Sequence, residues 1–125
     1  MFEQDYIMRY IKEMIRVLLK LVFHIDTDAP VIDLLEDKKD KQTLELLLNL
    51  IDEGMIDNAE NKIYEIIGDG NKQNLKIAIL FYSYLNDKSD KFLEEHNFSR
   101  DEIKLGLQDV MERYGVGDFT EIFMQ

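Results

Sequence analysis

Two histidines, His24 and His96, and the acids beside them are the first residues to test for chemistry. Asp26 and Asp28 follow His24, and Glu94 and Glu95 precede His96, offering the imidazole and carboxylate donors that bind zinc. None of them stands in an HExxH-type spacing, which sets two imidazoles and a general base on one helix face. Each histidine falls at an expected helix end, where a partly charged imidazole complements the helix dipole. A calcium loop opening at Asp69 fails on register. Such loops need glycine at the sixth place and glutamate at the twelfth, and here those places hold Asn74 and Leu80. With 26 acidic residues, neighbouring carboxylates such as Glu94 and Glu95 are expected by chance, whereas acid–base work needs a desolvated one. Gly115-Val116-Gly117 runs into Asp118 without the Lys-Ser/Thr of a phosphate loop, and no serine nucleophile elbow occurs. Tyr64, Tyr82, Tyr84 and Tyr114 read as core and interface packing, and the six methionines as gap-fillers or an adaptable surface. The expectation is no catalytic residue, no cofactor and no metal.

Composition narrows the classes further. A chain of 125 residues, 46% hydrophobic and 33% charged with one proline, suits one globular helical domain. At that length it buries about 65% of its unfolded surface without staples. The absence of cysteine excludes disulfides, a thiolate nucleophile and a Cys-ligated zinc. A net charge of −11 argues against nucleic acid, because backbone affinity there needs Lys and Arg to displace counterions. That charge is uneven: residues 1–25 carry about +1 and the remaining hundred about −12. The opening lacks the charged segment and cleavage site of a secretory signal. The apolar run after Arg16 is seven residues long with Lys20 inside it, too short to cross a bilayer. The cytoplasm is the expected location.

The elements that would position any site read as helices. Tyr6 to Phe23 is uninterrupted by Pro or Gly, and Arg9, Lys12, Glu13, Arg16 and Lys20 project into a sector about 100° wide. The rest of its surface is apolar and must be covered on more than one side, by other helices, a second copy, a partner or a membrane. After a connector, Val31 to about Lys38 reads as a short helix, and the charged run Glu36–Lys41 as a loop or frayed end. Gln42 to Glu53 follows, with Leu44, Leu47, Leu48 and Ile51 on its stripe, Leu46 and Leu50 widening it, and Gly54 as its stop. Asp57 with Glu60 forms a capping-box pattern for the next helix, whose inner face is Ala59, Ile63, Ile66 and Ile67. Gln73 to Asn86 has two apolar faces, so it belongs in the middle of the assembly. Ser89 caps a short helix ending at Glu95, and Asn97 suits a left-handed position. Ser99 and Glu102 form a second capping box, flanked by a Phe98–Ile103 staple, for a last long helix to Tyr114. Gly106 inside that helix costs about 1 kcal/mol against alanine, and a close helix crossing would explain it.

Two resemblances add to this. The hairpin Leu44–Ile67 is similar to a tetratricopeptide-type unit, with Gly54 ending the first helix and Ala59 where the second crosses it. It departs from that pattern in lacking the aromatic of the first helix, in Ile63 where a bulky aromatic is usual, and about 34 residues on, where Lys88 and Leu93 stand. The resemblance covers at most residues 42–96 and implies tetratricopeptide-like packing. The opening MFEQDYIMRYIKEMIR, the central LFYSYLNDKSDKFLEEHNFSRDEI and the closing DVMERYGV resemble a family of small, mainly Gram-positive bacterial proteins catalogued as a domain of unknown function. That resemblance implies a cytoplasmic helical protein with no assigned activity and supplies no catalytic residues.

The sequence thus predicts one all-α domain over residues 1–125, built of six or seven helices in antiparallel hairpins. Helix 1 spans 3–23, helical hairpins with tetratricopeptide-like packing span 42–96, the C-terminal helix spans 99–114, and a short apolar tail occupies 118–125. Helix 1 and the helix from Gln73 should be its most buried elements. The expected function is a non-enzymatic protein-interaction or adaptor module, bound to a protein partner or to a second copy. Its candidate surface is Arg9, Lys12, Arg16, Lys20, Phe119, Ile122 and Phe123, with neither nucleic acid nor an integral membrane segment involved. If Leu18, Phe23, Phe119 and Phe123 prove covered within one chain, the motive for that surface vanishes. The alternative is a small-molecule-binding or enzymatic helical domain with a pocket between helices lined by acidic and Tyr residues. A third reading, peripheral membrane contact through the basic ridge, is opposed by the net charge.

Overall fold

The computed structural model describes residues 2–26, 30–68 and 70–115. Among them, six α-helices and one 3₁₀ turn form an all-α domain without strands. The order is α1 (Phe2–Phe23), a 3₁₀ turn (Val31–Leu34), α2 (Lys38–Asp52), α3 (Ile56–Ile67), α4 (Lys72–Asn86), α5 (Asp90–Glu95) and α6 (Arg100–Arg113). The apolar tail expected at 118–125, with Phe119, Ile122 and Phe123, lies outside the described residues.

α4 is the centre. Ten of its fifteen residues are buried, from Leu75 through Tyr82 and then Leu85 and Asn86. α1, α2, α3 and α6 all pack on it, which is what its two apolar faces require. α1 runs antiparallel to it: Asn86 at one end donates to the Met8 carbonyl at 3.0 Å, while at the other the Phe23 ring lies under Lys72 and Lys76. Ile11, Met14, Ile15, Leu18 and Leu19 of α1 are buried, a single stripe that drops into the valley between α4 and α6. Two helices thus cover the central apolar stripe of α1 from inside the chain, while Tyr6 and Leu21 stay exposed. Leu18 is core and Phe23 is half-buried.

Three local expectations are corrected. The charged run at 38–41 is not a loop but the first turn of α2, so the hairpin begins at Lys38 rather than at 42. Asp37 makes the difference, its carboxylate accepting from the N–H groups of Lys39 at 2.7 Å and Asp40 at 3.1 Å. The segment before it shortens accordingly to the 3₁₀ turn Val31–Leu34. At α3 the capping box does not form: the helix starts at Ile56 with no side-chain cap, and Glu60 is drawn elsewhere. By contrast, the box at Ser99 holds, its hydroxyl accepting from the Glu102 N–H at 3.2 Å beside buried Phe98 and Ile103.

A polar knot joins four helices. Arg100 opens α6 and is only 1% exposed, a position that a guanidinium tolerates when its donors are satisfied. It donates to the Asn86 carbonyl at 2.6 Å, the Asn86 side chain at 3.1 Å, the Lys88 carbonyl at 2.7 Å and the Asp90 carboxylate at 3.0 Å. Carbonyls left open at the end of α4 are capped in this way. Asn86 passes the link on to α1 through Met8.

Candidate interaction groove

α2 directs Leu44, Leu47 and Ile51 into the core, leaves Leu46 exposed, and sets Leu50 one turn on, half-buried against the edge of the core. α3 likewise commits Ile56, Ala59, Ile63 and Ile67, and leaves Ile66 half-buried one turn from exposed Lys62. Between the two helices, on the side away from α4, these leftovers line an open cleft of about 580 Å³. Leu46, Leu47, Leu50 and Ile66 make its floor and walls, with Thr43, Asn49, Glu53, Lys62 and Glu65 at the rim. Leu46 is 66% exposed and lies beside Leu50 and Ile66 in the same cleft.

The walls are held from behind. Gly54 turns α2 into α3 with φ +83°, and the Met55 N–H returns to the Leu50 carbonyl at 2.8 Å. The His96 ring presses on that glycine so closely that a Cβ there would lie 2.2 Å from Cδ2. His96 is itself fixed by Nδ1 against the Phe92 carbonyl at 2.8 Å. At the end of α2, Asp52 accepts from Lys88 at 2.6 Å and from the Tyr84 hydroxyl at 2.7 Å. Burial alone would raise the Asp52 carboxyl, but the hydrogen bonds from Lys88 and Tyr84 outweigh it and hold the group below the ordinary aspartate range. Asn74 secures the end of α3 by donating to the Ile66 carbonyl at 3.2 Å.

Behind α3 the acids and tyrosines form a closed seam. The Tyr82 hydroxyl donates to Glu60 at 2.8 Å. Burial pushes the Glu60 carboxyl up, the Tyr82 hydrogen bond works against that, and Asp57 and Glu102 add to it. Tyr64 is pushed up to about 12 by burial, then by its hydrogen bond to Asp109 and by that group's charge. Tyr82 lies against Gly106, where a Cβ would meet Oη at 2.5 Å, so the crossing anticipated for that glycine is real. This seam lines neither the groove nor a second cleft. The second cleft, of about 310 Å³, is lined by Ile32, Glu45, Leu48, Asn49, Asp52 and Tyr84.

The residues expected at the surface are placed as follows. Arg9, Lys12, Arg16 and Lys20 are exposed along the outer side of α1. Asp5 pairs with Arg9, Glu13 with Arg16, and Asp26 with Lys20, so local acids offset much of the ridge. Phe119, Ile122 and Phe123 are beyond the described residues. His24 is exposed at φ +58°, and among the described residues no group of three or more His, Cys, Asp or Glu could hold a metal ion. No helix among them is long and apolar enough to cross a membrane. The groove itself was missed by sequence reasoning, although its signal, Leu46 and Leu50 off the main stripe of α2, was present.

With fold and groove described, similarity to known proteins adds one fact. Residues 1–115 match the model of a family of unknown function, DUF6483. The chain belongs to that family. The DUF6483 match takes in all six helices, both walls of the groove and the Arg100 knot, and stops short of Phe119. No curated protein and no solved structure matches the chain.

Proposed function

We propose that this protein is a non-enzymatic protein-interaction module whose α2–α3 groove receives the apolar face of an amphipathic helix. The observation that carries the reading is the exposed Leu46 set with Leu50 and Ile66 in a cleft about 580 Å³ in volume. The chemistry of the groove suits burial and little else. Its carboxylates, Glu53 and Glu65, are exposed, and its polar groups stand at the rim. Helix-in-groove recognition uses such a floor, read by anchors at i, i+3 and i+4. Each large apolar anchor fully buried contributes about 1.5–3 kcal/mol, so two or three anchors suffice for a modest, reversible complex once association entropy is subtracted. The supports at Gly54, Asp52 and Asn74 leave the walls preformed.

The test is a panel of amphipathic helical peptides, titrated against the wild-type chain and the Leu46→Asp and Leu50→Asp variants. Binding of apolar-faced helices should fall at least tenfold in both variants, and at exposed Leu46 it should do so with thermal stability held. Equal binding by wild type and variants would sink the assignment. A second reading, small-molecule binding, draws on the cleft of about 310 Å³ at Glu45, Asp52 and Tyr84. It is the weaker one, because Asp52 and Tyr84 already spend their polar atoms on each other and on Lys88.

A further inference from the structure

The charges around the groove say what must flank the apolar face of its partner. Glu53 and Glu65 are exposed and line the cleft against a single cation, Lys62. Because α2 and α3 are joined through the turn at Gly54, these glutamates stand toward opposite ends of the groove. Glu53 follows the last residue of α2, and Glu65 lies in the last turn of α3. Asn49 lines the second cleft as well, so the two clefts meet along α2. That cleft adds exposed Glu45, and Asp52, whose charge Lys88 already offsets. A helix about 10–12 Å across, seated on Leu46, Leu50 and Ile66, therefore meets carboxylates at both ends of the groove and beside α2.

We propose that the partner is a different protein's basic amphipathic helix, its apolar anchors flanked at each end by Lys or Arg that meet Glu53 and Glu65. The proposal rests on the groove reading above and adds the partner's charge to it. Glu53 lies seven residues beyond Leu46, so a base facing it sits about 10 Å, or two turns, from an anchor over Leu46. An acidic helix would set its carboxylates against the same two glutamates, and like charges brought together at a contact reject the wrong partner. A second copy is a poor occupant. Each chain carries a formal charge of −11, and the basic ridge of α1 is offset by Asp5, Glu13 and Asp26. The same excess of acid draws a basic helix in from beyond contact, an attraction that salt screens.

Two helical peptides with the same leucines at i, i+3 and i+4, flanked in one by lysine and in the other by glutamate, are titrated against the full chain. An exposed ion pair changes affinity by up to about fivefold, and two are at stake at the ends of the groove. The lysine peptide should therefore bind at least about fivefold tighter at about 50 mM salt, with the gap narrowing at about 300 mM. Glu53→Lys/Glu65→Lys should reverse the order of the two peptides. Glu94→Lys/Glu112→Lys makes the same change of charge at exposed sites lining neither cleft, and should preserve that order. Equal affinities for the two peptides overturn the proposal, as does the same response in both double variants, which would reduce the preference to net charge. If affinities are equal while Leu46→Asp still abolishes binding, the groove reading stands and the basic partner alone falls. If neither peptide binds, both fall together. A dimer of the chain alone, seen by light scattering and dissociated by Leu46→Asp, would give the groove to a second copy and overturn the proposal as well.

Discussion

Gly106→Ala sets two opposite effects against each other, and the structure decides the sign. Inside a helix, alanine is favoured over glycine by about 1 kcal/mol. Against that, a Cβ at this position would lie 2.5 Å from Tyr82 Oη, 2.8 Å from Cζ and 2.9 Å from Cε1. Tyr82 is fully buried, with the Phe81 ring edge-on at 5.0 Å, so its ring has no room to swing away. Relieving the clash both strains the α4–α6 packing and draws the hydroxyl off Glu60. Overpacking of this kind costs about 1–3 kcal/mol, and a lost hydrogen bond to a carboxylate about 1.5–3 kcal/mol more. Subtracting the helix gain leaves a net destabilisation of about 1.5–5 kcal/mol.

Urea unfolding followed by far-UV circular dichroism is the assay. The midpoint should fall with an unchanged slope, since the surface exposed on unfolding is the same. A second substitution makes the reasoning sharper. In a Tyr82→Leu background the obstructing ring is gone, so Gly106→Ala should there be neutral or stabilising, a strong departure from additivity. A raised midpoint for Gly106→Ala alone, or additive effects in the pair, would refute the close-crossing account of this glycine.

Three more outcomes follow from the same packing. Arg100→Ala should cost about 2–5 kcal/mol in urea unfolding, because it strands the carbonyls of Asn86 and Lys88, while half-exposed Asp90 turns to water; Arg100→Lys should recover little, an ammonium being unable to reproduce the planar fork. For Glu60, burial sets the folded carboxyl above its unfolded value, so the folded state binds the proton more tightly. Its contribution to stability is full below the ordinary glutamate range and is lost as pH rises through the higher folded value. Glu60→Gln should therefore gain on wild type between pH 4 and pH 7, and a difference independent of pH would count against that. Gly54→Ala should destabilise by at least about 1–2 kcal/mol from its positive φ alone. Thermal melts should show part of that loss restored by His96→Ala, which removes the ring that the new Cβ meets.

The helices were legible because their signals are local. Ser99 and Ser89 as caps, the left-handed Asn97 and the two-faced α4 depend on residues within a few positions of each other. Where a distant partner competes, local reading fails. Glu60 sits where a capping box wants it, yet Tyr82, 22 residues on, takes its carboxylate and α3 starts without a cap. The charged run at 38–41 looks like a solvated loop until Asp37 is seen accepting two of its N–H groups. Arg100 gave no sign of burial, for its partners, two backbone carbonyls, an asparagine and Asp90, come together only when α4, α5 and α6 meet.

The groove stayed hidden for a related reason. Five leucines lie between positions 44 and 50, and a leucine facing the core is written with the same letter as one facing water. What separates Leu47 from Leu46 is whether α4 lies over it, and α4 begins 25 positions further along the chain. Once α4 takes the side with Leu44, Leu47 and Ile51, Leu46 is left as apolar surface that folding does not use, beside Leu50 at the edge of the core. Stability and docking are therefore carried by different residues of the same helix. Substitution at Leu46 perturbs recognition with stability held within about 0.5 kcal/mol, while substitution at Leu47 costs about 2–5 kcal/mol and reports on the core. If both cost the same, the cleft is part of the folding core, and a protein-interaction role must be sought elsewhere on the surface.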